Sequence, residues 1–391
     1  MSKIAFFCIP AHGHTNPTLG VVRELVSRGH EVHYYSYEMM RKKIEGTGAK
    51  FIPCDEYDAQ QKLTPQDGAR IGKDIVFSTQ ILVDTTLALD DQICKEMEQW
   101  KPDCIVADSM AFWGKAVARK LGIPMVSSTT TFAFNRHSSA VMKREGKEAL
   151  SMLFAMPRAN RCLKPLRQAG YPIKSVLDII GNDNETHTIV YTSPEFQPCS
   201  ETFSEKYAFV GPILRPKEQV FEKIREKLVY ISMGTVNNDL LPLYRNCIEA
   251  FRSVPYQVVI SVGEQVDQSL LGELPEYISV FPHVDQMAVL EQVDVFLTHC
   301  GMNSVSEGLY FGVPLVLLPQ TPEQEGVAVR VEQVGAGLRP SGQSPTELRQ
   351  AVERALEEPV FAQSARRMAE SFRNCSGAVG AADKIETLCR T

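Results

Sequence analysis

Three short stretches of this chain carry side chains whose type and spacing could do chemistry. Between His299 and Gln324 the residues read HCGMNSVSEGLYFGVPLVLLPQTPEQ, which sets a phosphate cradle, a helix start and a polar pair along one β-α-β passage. Gly301 lets backbone approach a ligand closely, and Asn303 and Ser304 are good N-cap types for a helix expected from about Ser304 to Phe311. Amides and the positive dipole end at such a start attract phosphate oxygens, so His299, Gly301, Asn303 and Ser304 are candidate phosphate ligands. Glu307 lies about one turn further on, where a carboxylate can accept hydrogen bonds from vicinal ribose hydroxyls. The second stretch is PAHGHTNP, Pro10 to Pro17, whose histidines could accept a proton near neutral pH. The same residues also read as a helix-entry loop with Asn16 as cap and Pro17 at the first helical position. The third is Ser232-Met233-Gly234-Thr235, a small-residue loop that exposes amides fit for phosphate. Taken singly, an Asn-Ser cap or an early glutamate serves any helix; the ordered combination is what points to a nucleotide ligand.

These groups need elements to position them. Val295 to Thr298 is a short apolar run that reads as a buried parallel strand delivering His299 to its carboxyl edge. After Gly312-Val313-Pro314 turns the chain, Leu315 to Leu318 form another strand, and Pro319 ends it, releasing Gln320 to Gln324 at the same edge. Such runs recur, alternating with helical stretches, at Ile4–Ile9, Glu31–Ser36, Phe51–Pro53, Cys104–Ala107, Pro124–Ser127, Thr188–Tyr191 and Ala208–Gly211. A second series comprises Leu228–Ile231, Val258–Ile260 and Ile278–Val280, then the two strands flanking the cradle. The pattern predicts an α/β fold of two Rossmann-like domains, 1–212 and 228–379, joined by a linker at 213–227, with a helix from about Gly380 to Cys389 within a final segment, 380–391. The first helix is expected over Thr18–Arg28. Tyr57–Thr85 and Phe134–Asp183 fit no clean period and are expected as helices and loops over the cleft. Gly46-Thr47-Gly48 precedes a strand and lacks a third glycine, so it reads as a helix-ending turn, not a dinucleotide fingerprint.

Composition narrows the class. A chain of 391 residues exceeds what one core usually spans, and 44% hydrophobic residues supply two. The net charge of -6 and the lack of a long basic run exclude tracking of a nucleic-acid backbone. Ten cysteines without a CxxC pair suit buried reduced thiols. No stretch reaches the roughly 18 apolar residues of a membrane span, and the opening is too short for a signal peptide, so the cytoplasm is the expected compartment.

The His299–Gln324 passage resembles the donor-binding signature of nucleotide-sugar-dependent glycosyltransferases, the UDP-glycosyltransferase superfamily, and is most similar in wording to the bacterial macrolide-type branch. The resemblance implies a GT-B architecture, two Rossmann-like domains facing across a cleft, with the last helix crossing back to the first domain. It extends upstream to His283-Val284-Asp285-Gln286 and implies base recognition by His283, Val284 and Gln286, although many members carry an aromatic residue at the His283 position and proline where Asp285 stands. Met302 replaces a residue that is often tryptophan in plant members. The resemblance makes His14, not His12, the general base and Asp108 its orienting carboxylate, which could equally be a helix cap; it adds Thr235 to the phosphate ligands. Glu323 and Gln324 would bind the sugar and hint at glucose, with Pro322 an untypical neighbour. Phe112, Trp113, Phe132 and Phe134 would offer an aromatic pocket to a small lipophilic acceptor such as a phenolic, a flavonoid or a macrolide, or would belong to the core. The implied activity is inverting transfer of a hexose from a UDP-sugar, with a dTDP-sugar as an alternative co-substrate and no cofactor. Without any Asp-x-Asp pair, no metal is expected either. A sugar-nucleotide epimerase, a cell-wall precursor transferase and a non-catalytic nucleotide-sugar-binding protein share the architecture and remain alternatives.

Overall fold

The first apolar run forms β1 (Lys3–Phe7), and its alternate residues enter two different cores: Ile4 and Phe6 pack with Val21, Leu25 and Val106, whereas Ala5 and Phe7 pack with Leu89, Ile105 and Trp113. A strand covered on both faces has no polar side to show, which is why such segments read as unbroken apolar runs. The computed structural model describes residues 1–55, 70, 74–141, 146–176, 178, 185–235 and 238–389. The chain divides into two units, Met1–Ile213 with Ser376–Thr391, and Leu214–Cys375.

In the first unit β1 is joined by β2 (Glu31–Ser36), β3 (Lys50–Pro53), β4 (Cys104–Asp108), β5 (Met125–Thr129), β6 (His187–Val190) and β7 (Tyr207–Phe209). All pair in parallel in the order β3-β2-β1-β4-β5-β6-β7. The second unit has β8 (Leu228–Ser232), β9 (Gln257–Ser261), β10 (Ile278–Phe281), β11 (Val295–Thr298), β12 (Leu315–Leu317) and β13 (Gly337–Leu338), in the parallel order β10-β9-β8-β11-β12-β13. Each sheet therefore reverses its winding once, between β1 and β4 and between β8 and β11. At such a switch point the two loops leave the sheet in opposite directions and open a crevice at the carboxyl edge.

Several expectations are corrected. The first helix runs from His12 to Ser27, beginning six residues before the expected Thr18 and carrying Pro17 inside it, so His12 and His14 lie in its first turn instead of a loop. Its N-cap is Ala11, whose side chain caps nothing, and Asn16 is not the cap. Within the Tyr57–Thr85 stretch expected as helices and loops, Ile75–Trp100 forms one 26-residue helix capped by Asp74 that runs on past Thr85; residues 56–69 and 71–73 lie outside the described residues. The Phe134–Asp183 stretch contains helices Arg136–Val141, Gly146–Cys162 and Lys164–Gln168, and Asp183 is not described. The last helix starts at Gly377 and packs Ala381, Ala382, Ile385 and Leu388 into the first unit's core. Residues from Leu214 onward are strapped to the second unit: Asp285 accepts from the amides of Glu218 and Gln219, and Asp294 pairs with Lys223 at 2.6 Å.

Candidate active site

At the first switch point, Phe7 of β1 lies level with Ala107 of β4, so the loop leaving β1 and the end of β4 are neighbours. The helix that opens at His12 and the carboxylate that closes β4 meet there. His14 Nδ1 lies 2.8 Å from Asp108 Oδ2; the imidazole is 19% exposed and the carboxylate 1%. The other carboxylate oxygen, Oδ1, accepts from the amide of Met110 at 2.9 Å. Asp108 is thus not the cap of the following helix Phe112–Leu121, whose N-cap is Ala111; both of its oxygens are committed to one orientation. An ionised carboxylate only accepts, so the proton on the neutral imidazole resides at Nδ1, and the basic lone pair is at Nε2. This arrangement can take a proton from a hydroxyl and hold the resulting imidazolium. Thr130, just past β5, places Oγ1 3.1 Å from the same Nδ1, a contact the sequence does not signal. His12 instead lies 3.2 Å from Lys43 Nζ.

At the second switch point Ser232 ends β8 level with Thr298 of β11, and the Ser232–Thr235 loop adjoins His299. His299 is held by two glycines. A Cβ on Gly234, at φ 80°, would lie 2.6 Å from its Nε2, and a Cβ on Gly301 would lie 2.5 Å from it. Burial lowers the imidazole to about 4, and its Nδ1 has no hydrogen-bond partner among the described residues. Cys300 adopts φ 68°, a left-handed conformation unfavourable for a side-chain-bearing residue, and so turns the chain sharply into the helix. That helix is Met302–Tyr310 with Gly301 as N-cap, so Asn303 and Ser304 occupy its first turn and are not caps, a correction of the expected start. Val305 N donates to Gly301 O at 3.0 Å, which begins the helical ladder and leaves the first-turn amides at the positive end. Thr235 is exposed in the neighbouring loop.

One helical turn on, Glu307 accepts from Gln286 Nε2, while Gln286 Oε1 accepts from Tyr230 OH at 3.1 Å. Burial raises the Glu307 carboxyl, against the opposing pull of the Arg215 guanidinium and the Gln286 amide. The structure therefore places Gln286, though not His283 or Val284, against Glu307 and adds Tyr230, which is stacked on Phe296. His283 is exposed and lies 3.6 Å from Glu264, with Val284 half-buried beside it. Asp285 caps the helix Gln286–Leu290 through Met287 N. Glu323 and Gln324 belong to the first turn of helix Pro322–Gln333, with Pro322 at its start, where a missing amide hydrogen costs nothing. Gln324 Oε1 accepts from Gln320 N at 2.8 Å.

The aromatic group divides between the two expected places. Phe112, Trp113 and Phe132 are buried at 1%, 3% and 1% exposure, the last packed on Phe196, whereas Phe134 is 46% exposed. Aromatic side chains next to a sheet edge are core by default, and only Phe134 offers surface.

Comparison with known proteins points the same way. Residues 245–378 match the family model for the erythromycin biosynthesis protein CIII-like C-terminal domain. The chain is 34% identical to the NDP-glycosyltransferase YjiC of Bacillus licheniformis, over 98% of this chain and 97% of that protein. It is 31% identical to the uncharacterized UDP-glucosyltransferase YojK of Bacillus subtilis, over 98% and 97% respectively. Among solved structures it resembles the glycotransferase of kitacinnamycin, with a TM-score of 0.85 and 29% identity over 99% of this chain and 98% of that one.

Proposed function

The chain belongs to the UDP-glycosyltransferase superfamily, in its bacterial macrolide-type branch, and from that premise we propose an inverting transfer of a hexose from a UDP-sugar to a hydroxyl of a small lipophilic acceptor. Glycosyltransferase activity comes with the family; the stereochemistry, the sugar and the acceptor are the proposal. The observation that carries it is the 2.8 Å bond between His14 Nδ1 and Asp108 Oδ2 at a switch point, because it makes Nε2 a base.

The acceptor hydroxyl gives its proton to His14 Nε2, and its oxygen bonds to the anomeric carbon as the bond from that carbon to the diphosphate oxygen breaks. Attack opposite the leaving group inverts the anomeric centre. Asp108 steadies the imidazolium. His299, Gly301, Asn303, Ser304 and Thr235 take up the charge that develops on the diphosphate. Glu307 holds the ribose, and Gln286, with His283 and Val284, addresses the base. Glu323 and Gln324 hold the sugar, which we read as glucose. Phe134 is the aromatic residue left to meet the acceptor. The reaction needs no cofactor or metal in this reading, and EDTA should leave turnover unchanged.

His14→Ala should abolish transfer of glucose from UDP-glucose to a flat phenol while UDP binding by calorimetry survives. Turnover near the parent rate would sink the base assignment. A panel of UDP- and dTDP-sugars tests the donor, and preference for a non-glucose sugar would overturn that part.

A further inference from the structure

We propose that Thr130 is a positioning residue for the base, acting as a second acceptor on His14 Nδ1–H beside Asp108; this rests on the reading of His14 as general base. Its Oγ1 is 3.1 Å from Nδ1, Asp108 Oδ2 is 2.8 Å from the same atom, and Thr130 is 4% exposed. A neutral imidazole has one N–H, and a buried carboxylate at that distance draws the proton to Nδ1. A hydroxyl beside an N–H can only accept from it, so the two oxygens share one proton in a three-centre bond.

The backbone fixes both oxygens. Asp108 and Ser128 are level in the paired β4 and β5, and Ser109 N donates to Ser128 O at 2.9 Å, so the ends of the two strands cannot drift apart. A single bond to a carboxylate would let the ring pivot about it. Two acceptors, one closing β4 and one just past β5, set the ring plane and hence the direction of the Nε2 lone pair. The second bond gains most when the ring is charged, because hydrogen bonds from a charged donor are roughly twice as strong as neutral ones. Its effect therefore falls on the proton-transfer step and not on nucleotide binding. Of the titratable groups near the pair, burial, and then the charge of Asp108, raise the Cys8 thiol, and burial raises the Tyr191 phenol, so both stay neutral, while Lys43 lies 3.2 Å from His12, which shares a helical turn with His14.

The test compares Thr130→Val, which keeps the shape and removes the hydroxyl, with Thr130→Ser, which keeps the hydroxyl, in the full-length chain. With UDP-glucose and a hydroxycoumarin acceptor, Thr130→Val should lower kcat about three- to tenfold, the worth of one ordinary hydrogen bond, with the KM for UDP-glucose unchanged. By nitrogen NMR of the ligand-free protein, its His14 titration should move to lower pH. Thr130→Ser should restore both, and Thr130→Ala should repeat the loss should valine disturb the fold. An NMR titration of Thr130→Val that superimposes on the parent's, or a Thr130→Ser variant as impaired as Thr130→Val, overturns the proposal. His14→Ala run alongside separates the two readings. Full activity in that variant removes the base assignment itself, whereas an inactive His14→Ala beside an unaffected Thr130→Val removes only the role of Thr130.

Discussion

A histidine ring pressed between Gly234 and Gly301 has lost most of its water, and His299 is accordingly neutral down to about pH 4. In the ligand-free protein it is a neutral ring, and in the reaction proposed above it would face the diphosphate as a hydrogen-bonding group. In the unfolded chain the same side chain binds a proton near 6.5, so between those limits the unfolded state holds more protons and stability rises with pH. Acidification from about pH 6.5 to 4 should therefore cost the second unit up to roughly 3 kcal/mol, and His299→Asn should flatten that dependence in urea unfolding followed across the same range. Glu307 has the opposite sign. Burial raises its carboxyl, and ribose hydroxyls favour the ionised form, so UDP binding should release a proton and weaken as the pH falls through the carboxylate range. Calorimetry in buffers of different ionisation enthalpy reads that proton, and Glu307→Gln should remove it. Most of these residues were legible in the sequence because they stand in ordered motifs. Thr130 and Tyr230 were not: a threonine at the end of a β-branched run and a tyrosine within a strand look like ordinary sheet residues. Phe112, Trp113 and Phe132 could be read as pocket or core, because aromatic residues near a ligand loop and aromatic residues in a core have the same composition.

The elements were legible where burial on both faces makes a strand an unbroken apolar run, as in β4, β8 and β11. Helix starts were not. The two helices at the candidate site have Ala11 and Gly301 as N-caps, neither of which makes a side-chain cap, while the better cap types Asn16, Asn303 and Ser304 sit inside the helices. The two-residue β13 leaves no periodicity to detect. The second-unit cradle requires space: Gly234→Ala would force a positive φ on alanine and push a methyl group into His299. We expect it to weaken UDP binding at least tenfold by calorimetry, with secondary structure by circular dichroism unchanged. Asp285 works as a cap and a clamp. Burial alone would raise its carboxyl, yet the amides of Gln219 and Glu218 outweigh that and hold it below the usual range. Its stabilisation is present above the ordinary carboxylate range and is lost as the pH falls through the lowered value. Asp285→Ala should cost about 1–3 kcal/mol in denaturant unfolding at neutral pH.

For the molecule as a whole, the boundary between units is not a single point in the sequence. Arg28 bonds Asp383 at 2.6 Å and Glu386 at 3.2 Å, His30 bonds Glu386 at 2.9 Å, and Ile385 and Leu388 lie in the same core as Ile4. No local pattern reports contacts across more than 350 positions, which is why the return of the last helix came from the family resemblance and not from periodicity. A chain ending at Cys375 should keep the second unit's cooperative unfolding and lose that of the first, seen as selective loss of amide-exchange protection in β1, β2 and β4. The returning helix also bears on the order of synthesis. A ribosome synthesises residues 214–375 before the 377–389 helix, so the first unit waits for its closing helix until the whole of the second has been made. The part of the enzyme made first thus depends on the part made last, because Ala381, Ala382, Ile385 and Leu388 complete a core begun by Ile4 and Phe6.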